Sequence, residues 1–219
     1  MLQYPEGIAG NWHKHFGNSN PVTLELACGK GEYTVGLARL YPRRNFIGVD
    51  VKGNRIWVGA KKAITENLEN VAFLRSQIER ITEFFASAEV SEIWITFPDP
   101  QLRYSKAKKR LTHPRFLRLY QKILKPGGII HLKTDSPNLY RFTKEVLNRY
   151  NCTVLADIDD VYAHQEVSDE LSIKTHYEAL DIAQSNRIHY LSFTLPAHLG
   201  GEAEDEALKE AIRYELEQG

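Results

Sequence analysis

The chain has two cysteines and a single methionine in 219 residues. Cys28 and Cys152 stand far apart and outside any C-x-x-C pattern, which excludes a zinc ribbon, a dithiol redox pair and a disulfide framework. No run approaches the roughly 20 apolar residues of a membrane span. The start, MLQYPEGIAGNWHKHFGNSN, lacks a basic stretch followed by an apolar one. These absences predict a cytoplasmic protein without membrane contact, so the Asn151-Cys152-Thr153 sequon is a chance match. His13-x-His15 has no third ligand at metal spacing, and no metal is expected. Net charge is also missing, because 28 basic residues face 28 acidic ones. What is present suits one globular domain: 42% hydrophobic and 11% aromatic residues exclude whole-chain disorder. A chain of this length can bury roughly 70% of its unfolded surface.

The charge is balanced only on average. Residues 101–118, QLRYSKAKKRLTHPRFLR, hold seven basic side chains (Arg103, Lys106, Lys108, Lys109, Arg110, Arg115, Arg118) and no acid. Residues 156–170 hold six acids and no Lys or Arg, and residues 202–217 hold seven acids against Lys209 and Arg213. The basic run has no apolar face. By itself it reads as a solvated loop, or as a contact for a phosphate backbone at the mouth of a cleft.

Apolar runs predict strands over 22–26, 45–50, 71–74, 92–97, 129–135, 153–158 and 188–195. Between them, helical spacing predicts helices over 32–41, 54–68, 116–124 and 138–150, with a short one over 79–85 and a solvated acidic one over 202–217. Alternating strands and helices argue for an α/β fold: a mostly parallel seven-stranded sheet with helices on both faces. Such sheets bind ligands beyond the carboxyl ends of their strands. Gly29, Gly31, Asp50, Gln77, Asp99 and Asp135 all fall there.

The loop Glu25-Leu-Ala-Cys-Gly29-Lys-Gly31 lets a ligand approach backbone that carries no Cβ. A dinucleotide is disfavoured, because Thr34 stands where the third glycine belongs and Glu32 in the first turn would face the phosphates. Glu25 suits an amino group, such as that of the methionine in S-adenosylmethionine. Asp50, about twenty residues after the loop, suits a ribose hydroxyl pair or a helix cap. Cys28 reads as a small buried residue, with no nearby base to make it a nucleophile. In Phe97-Pro98-Asp99-Pro100, each residue before proline is expected to be extended, presenting the Asp99 carboxylate on a stiff strap.

Taken in order, ELACGKGEYTVGLA, FIGVD, WITFPDP with KAKKRLTHPRFL, GGIIHLKTD and the late Thr175-His176-Tyr177-Glu178 resemble the bacterial tRNA (guanine-N7-)-methyltransferase family. The resemblance implies a Rossmann-like class I methyltransferase that uses S-adenosylmethionine to methylate N7 of guanine 46 in the tRNA variable loop. It implies donor contacts from Glu25, Gly29, Gly31, Asp50, Gln77 and Asp99, with Asp99 also catalytic. Substrate contacts would come from Arg103, Asp135, Thr175, His176, Tyr177 and Glu178, with no obligate protein partner. Gln77, Gln101 and Arg103 depart from the family's usual acid, tryptophan and lysine. The domain plan that follows is a lead over 1–21, the methyltransferase domain over 22–198 and an acidic helix over 199–219. Two other readings are an NAD(P)-dependent oxidoreductase, which leaves the Asp99 strap and the basic run without a role, and a non-catalytic RNA-binding protein on the same scaffold.

Overall fold

The computed structural model describes residues 1–3, 5–163, 166–176, 178 and 187–218. Among them, eight strands form one sheet: β1 (Leu2–Gln3), β2 (Val22–Leu26), β3 (Asn45–Asp50), β4 (Val71–Arg75), β5 (Val90–Thr96), β6 (Leu124–Thr134), β7 (Thr153–Ile158) and β8 (His189–Thr194). Their order is β1-β4-β3-β2-β5-β6-β8-β7. The first six strands in that order run parallel, and β8 runs antiparallel to both β6 and β7. The sheet thus has one strand more than the seven expected. The extra strand, β1, pairs Leu2 and Gln3 with Leu74 and Arg75, a segment too short to leave a periodic signal.

The helices are α1 (Trp12–Phe16), α2 (Glu32–Leu40), α3 (Gly53–Thr65), α4 (Pro114–Ile123), α5 (Pro137–Arg149), α6 (Asp169–Ser172) and α7 (Glu202–Gln218). Two of them start on proline with the preceding side chain as cap: His113 accepts from the Arg115 N–H and Ser136 from the Leu139 N–H. Every residue of β2 and β3 is buried, as in a parallel strand covered on both faces.

Alternation along the strands sorts the interior into two kinds of face. Leu24, Leu26, Ile93, Ile95, Ile130 and Leu132 join one apolar cluster with Phe116, Tyr120 and Phe142 of α4 and α5. Trp94 faces the other way, toward Tyr33 and Leu37 of α2. Glu25, Thr96, His131 and Lys133 are buried at the alternate positions of the same three strands.

Three segments are more structured than their composition suggests. In the polar lead, Trp12 is fully buried, stacks on Phe85 at 5.2 Å and donates its indole N–H to the Phe84 carbonyl at 2.8 Å. His15 meets that indole edge-on at 5.6 Å, which gives the histidine pair a packing role. The basic run was expected as a loop without an apolar side, but residues 104–109 form a 3-10 turn that buries Ala107. Arg110 is enclosed over the Phe142 ring at 4.4 Å. The terminal helix was expected to be solvated. Instead Leu208 is buried in the main core and Asp205 pairs with Arg118 at 2.7 Å. A cavity of about 410 Å³ separates α7 from the basic turn, lined by Tyr104, Lys108, His113 and Leu208.

Candidate active site

The chain builds outward from β2 to β3 and β4, then returns to the other side of β2 with β5 and β6, so the topological switch lies between β2 and β5. Glu25 spans that switch. Its Oε1 accepts from the Thr96 hydroxyl at 2.7 Å, and its Oε2 accepts from the Thr34 N–H at 2.7 Å and from the Thr34 hydroxyl. It is only 3% exposed, and that burial pushes its carboxyl up to about 7 against the pull of the threonine bonds. The carboxylate expected to meet a donor amino group is thus turned inward onto Thr34 and Thr96, and ties the first turn of α2 to β2 and β5.

The loop above it needs its glycines. Gly29 and Gly31 have φ of +55° and +70°, and a Cβ on Gly31 would meet the Phe73 ring at 2.5 Å. Cys28 is buried with Val35, Ile56 and Phe73, and that burial, with the nearby carboxylates of Glu25 and Asp50, pushes its thiol well above the usual range. Asp50, at the end of β3, accepts from the Gly29 N–H at 3.0 Å and from the Lys52 N–H at 2.8 Å. Each oxygen is left with a further lone pair for a hydroxyl donor. Gln77 follows β4 and is exposed. Across the carboxyl edge the order is therefore Gln77, Asp50, Gly29, Asp99 and Asp135, following β4, β3, β2, β5 and β6.

The Asp99 strap differs from the expected extended form. Phe97 has φ of +46°, so it is left-handed, and Gln101 has φ of +48°. Proline at the next position disfavours a right-handed Phe97, and its N–H is claimed by the Lys133 carbonyl at 2.8 Å. Asp99 is exposed between these two strained residues, with Oδ1 accepting from the Gln101 N–H at 3.0 Å. Arg103 is exposed at the entrance to the basic turn.

On the far side, Asp135 is half-buried between β6 and the Ser136 cap. Thr175 is buried and its hydroxyl accepts from the Glu178 N–H at 3.1 Å, while His176 is exposed. Tyr177 lies outside the described residues. The Glu178 carboxylate accepts from Lys133 Nζ at 3.1 Å and from the Tyr162 hydroxyl. Sequence reasoning passed over Thr96, Tyr162 and Lys133; a lysine inside the strand IIHLKTD was the one visible signal.

Comparison with known proteins identifies the family and the fold. The family described as putative methyltransferase matches residues 19–191. The tRNA (guanine-N(7)-)-methyltransferase of Bacteroides thetaiotaomicron is 50% identical over 193 residues, 88% of this chain and 76% of the relative. The chain belongs to the tRNA (guanine-N7)-methyltransferase family. A second member of the family, from Porphyromonas gingivalis, is 51% identical over 89% of this chain and 81% of its own length. The fold is the Rossmann-like one of S-adenosylmethionine-dependent methyltransferases. The 16S rRNA methyltransferase KamB superposes with a TM-score of 0.65 at 17% identity, over 85% of this chain and 93% of that one. A SAM-dependent methyltransferase from Aquifex aeolicus gives 0.56 at 15% identity, over 85% and 89%. Membership in the tRNA (guanine-N7)-methyltransferase family removes the oxidoreductase reading and makes S-adenosylmethionine the cofactor. The donor set fits that group: a carboxylate at the end of β3 for a ribose, bonded to the N–H of Gly29 in the left-handed glycine loop beside it.

Proposed function

We propose that this protein transfers the methyl group of S-adenosylmethionine to N7 of a guanine in cytoplasmic tRNA, with guanine 46 of the variable loop as the target, giving 7-methylguanosine. The observation that carries this reading is the exposed Asp99 carboxylate, fixed between two left-handed residues beside the switch point and followed directly by the basic turn.

S-adenosylmethionine, when bound, supplies an electrophilic methyl group on a sulfonium. Asp50 holds the ribose hydroxyls, the Gln77 carbonyl oxygen accepts from the adenine amine, and Gly29 and Gly31 let the donor lie against backbone. Glu25 ties the first turn of α2 to β2 and β5. Guanine N7 carries an in-plane lone pair and no proton, so no general base is needed. Methylation leaves the purine cationic, and Asp99 stabilises the charge that develops while orienting the ring. Arg103 and the neighbouring lysines contact phosphates, and Asp135, Thr175, His176 and Glu178 form the wall that receives the unstacked base.

The test is to incubate the protein with unmodified tRNA and labelled S-adenosylmethionine, digest the RNA and identify the nucleoside by mass spectrometry. The expected product is 7-methylguanosine in the variable loop. A different methylated base overturns the pocket assignment, and tRNA binding without transfer supports a non-catalytic RNA-binding protein instead.

A further inference from the structure

Lys133 stands in β6 with no exposed surface, one residue after Leu132 of the apolar cluster. A fully enclosed lysine survives only when its ammonium is well paired. Here Nζ donates to the carbonyls of Leu171 at 2.8 Å and Ile173 at 3.1 Å, and to Glu178 Oε2 at 3.1 Å, with the Tyr162 hydroxyl at 3.3 Å. The rings of Tyr33, Phe97 and Tyr162 surround it at 5.4, 5.6 and 5.5 Å from Nζ to centroid. The main-chain carbonyl of the same residue accepts the N–H of Phe97, the left-handed residue that opens the Asp99 strap.

One residue therefore grips both sides of the substrate half of the cleft. Its backbone holds the strap that carries Asp99, and its side chain holds α6 and Glu178. The donor half is fixed by other groups, namely Glu25 on Thr34 and Thr96, and Asp50 on Gly29 and Lys52. Apolar packing of Ile173 near Gly36 and the Tyr41 hydroxyl on Glu170 also tether α6 to α2, but neither contact involves Glu178 or the strap.

We infer that Lys133 is a positioning residue: its buried ammonium fixes residues 171–173 and Glu178 relative to the Asp99 strap, so that guanosine binding depends on it and donor binding does not. The substrate's identity in this inference rests on the function proposed above. Burial draws the Lys133 pKa down, and the Glu178 carboxylate opposes that shift only in part.

The experiment compares Lys133→Met, Glu178→Gln and the double variant in the full chain. It measures hydrogen exchange of the Leu171, Ser172 and Ile173 amides, donor affinity by calorimetry, and kcat and KM for tRNA. Lys133→Met should speed exchange at those amides about tenfold and raise the tRNA KM about tenfold, with the donor Kd within twofold of wild type. The double variant should fall short of the product of the two single effects, because the Lys133–Glu178 bond is lost in both. A role in stability alone would speed exchange throughout and weaken the donor as well. Unchanged exchange at 171–173 with an unchanged tRNA KM overturns the inference. Lys133→Gln, which keeps two donors, replaces the methionine variant if that chain does not fold, and should fall between it and wild type. If wild type itself methylates no tRNA, the proposed function fails while the exchange measurement still decides whether Lys133 orders residues 171–173.

Discussion

On one face of the sheet, Leu24, Leu26, Ile93, Ile95, Ile130 and Leu132 lie in a single apolar cluster beneath α4 and α5. On the other face the same three strands bury Glu25, Thr96, His131 and Lys133, tied to α2, residues 171–173 and Glu178. The apolar face gains stability from area removed from water, which is non-directional and tolerates exchange of one aliphatic group for another. Each polar group on the opposite face needs a partner at a fixed distance, or its desolvation goes uncompensated. That requirement draws distant segments to fixed places: Thr34 to Glu25, Glu178 to Lys133, and Arg44 to Glu92. The first face holds the fold together, and the second shapes the cleft.

The largest contrast comes from one substitution on each side of that division. Leu132→Ala removes a fully buried side chain and should cost about 2–5 kcal/mol of unfolding free energy, read by denaturant titration, while the folded fraction keeps its donor affinity. Asp99→Ala should leave stability near wild type, because the side chain is exposed, and lower kcat roughly 10²–10³-fold with tRNA binding largely retained. Unchanged turnover removes Asp99 from the mechanism.

A second contrast uses pH. Glu25, raised to about 7 from an ordinary 4.5, binds more protons in the folded state, so its contribution to stability is full below pH 4.5 and is lost as pH rises toward 7. His113, half-buried at the cap of α4, is lowered to about 4 from 6.5, chiefly by desolvation, so its contribution is full above pH 6.5 and is lost as pH falls toward 4. Between pH 4.5 and 6.5 the two slopes oppose each other. Glu25→Gln should unmask stability that rises with pH by about 3 kcal/mol, and His113→Asn a fall of similar size, both followed by thermal melts. Parallel curves for the two variants would sink this account. Asp50→Ala should have a smaller effect, weakening donor binding roughly 10–100-fold through lost charged hydrogen bonds, on the order of 1.5–3 kcal/mol. An unaltered donor Kd refutes its place at the ribose.

How much of this was legible follows the same division. Apolar runs announced seven of the eight strands and the helices α2 to α5, because a periodic apolar pattern is a local property of the chain. Asp50 and Asp99 were legible as well, since strand ends and proline straps are read over a few residues. The Lys133 link was not, because its partners Leu171, Ile173 and Glu178 lie about forty residues away and meet it only when β8 returns beside β6. The left-handed Phe97 escaped too. A residue before proline avoids the right-handed region, and local rules then favour extension over the strained alternative that the Lys133 carbonyl secures.

The smallest expected effect separates the basic residues that serve the fold from those that face outward. Within 101–118, Arg110 is buried over Phe142 and Arg118 is bound to Asp205, whereas Arg103, Lys106, Lys108, Lys109 and Arg115 are exposed. If four or five of these meet phosphates, log affinity for tRNA should fall against log salt with a slope of roughly −3 to −4.5. Lys106→Gln with Lys108→Gln should lessen that slope by roughly 1.4–1.8, because each lost phosphate contact releases one fewer counterion. Arg118→Gln should leave the slope alone and cost less than about 1 kcal/mol of stability, since its pair with Asp205 is partly solvent-screened. Filter binding across a salt series reads both outcomes. A slope that shifts with Arg118 and ignores the two lysines would move the RNA contact from the 3-10 turn to the α4 surface beside α7, where the acidic helix would then compete for it.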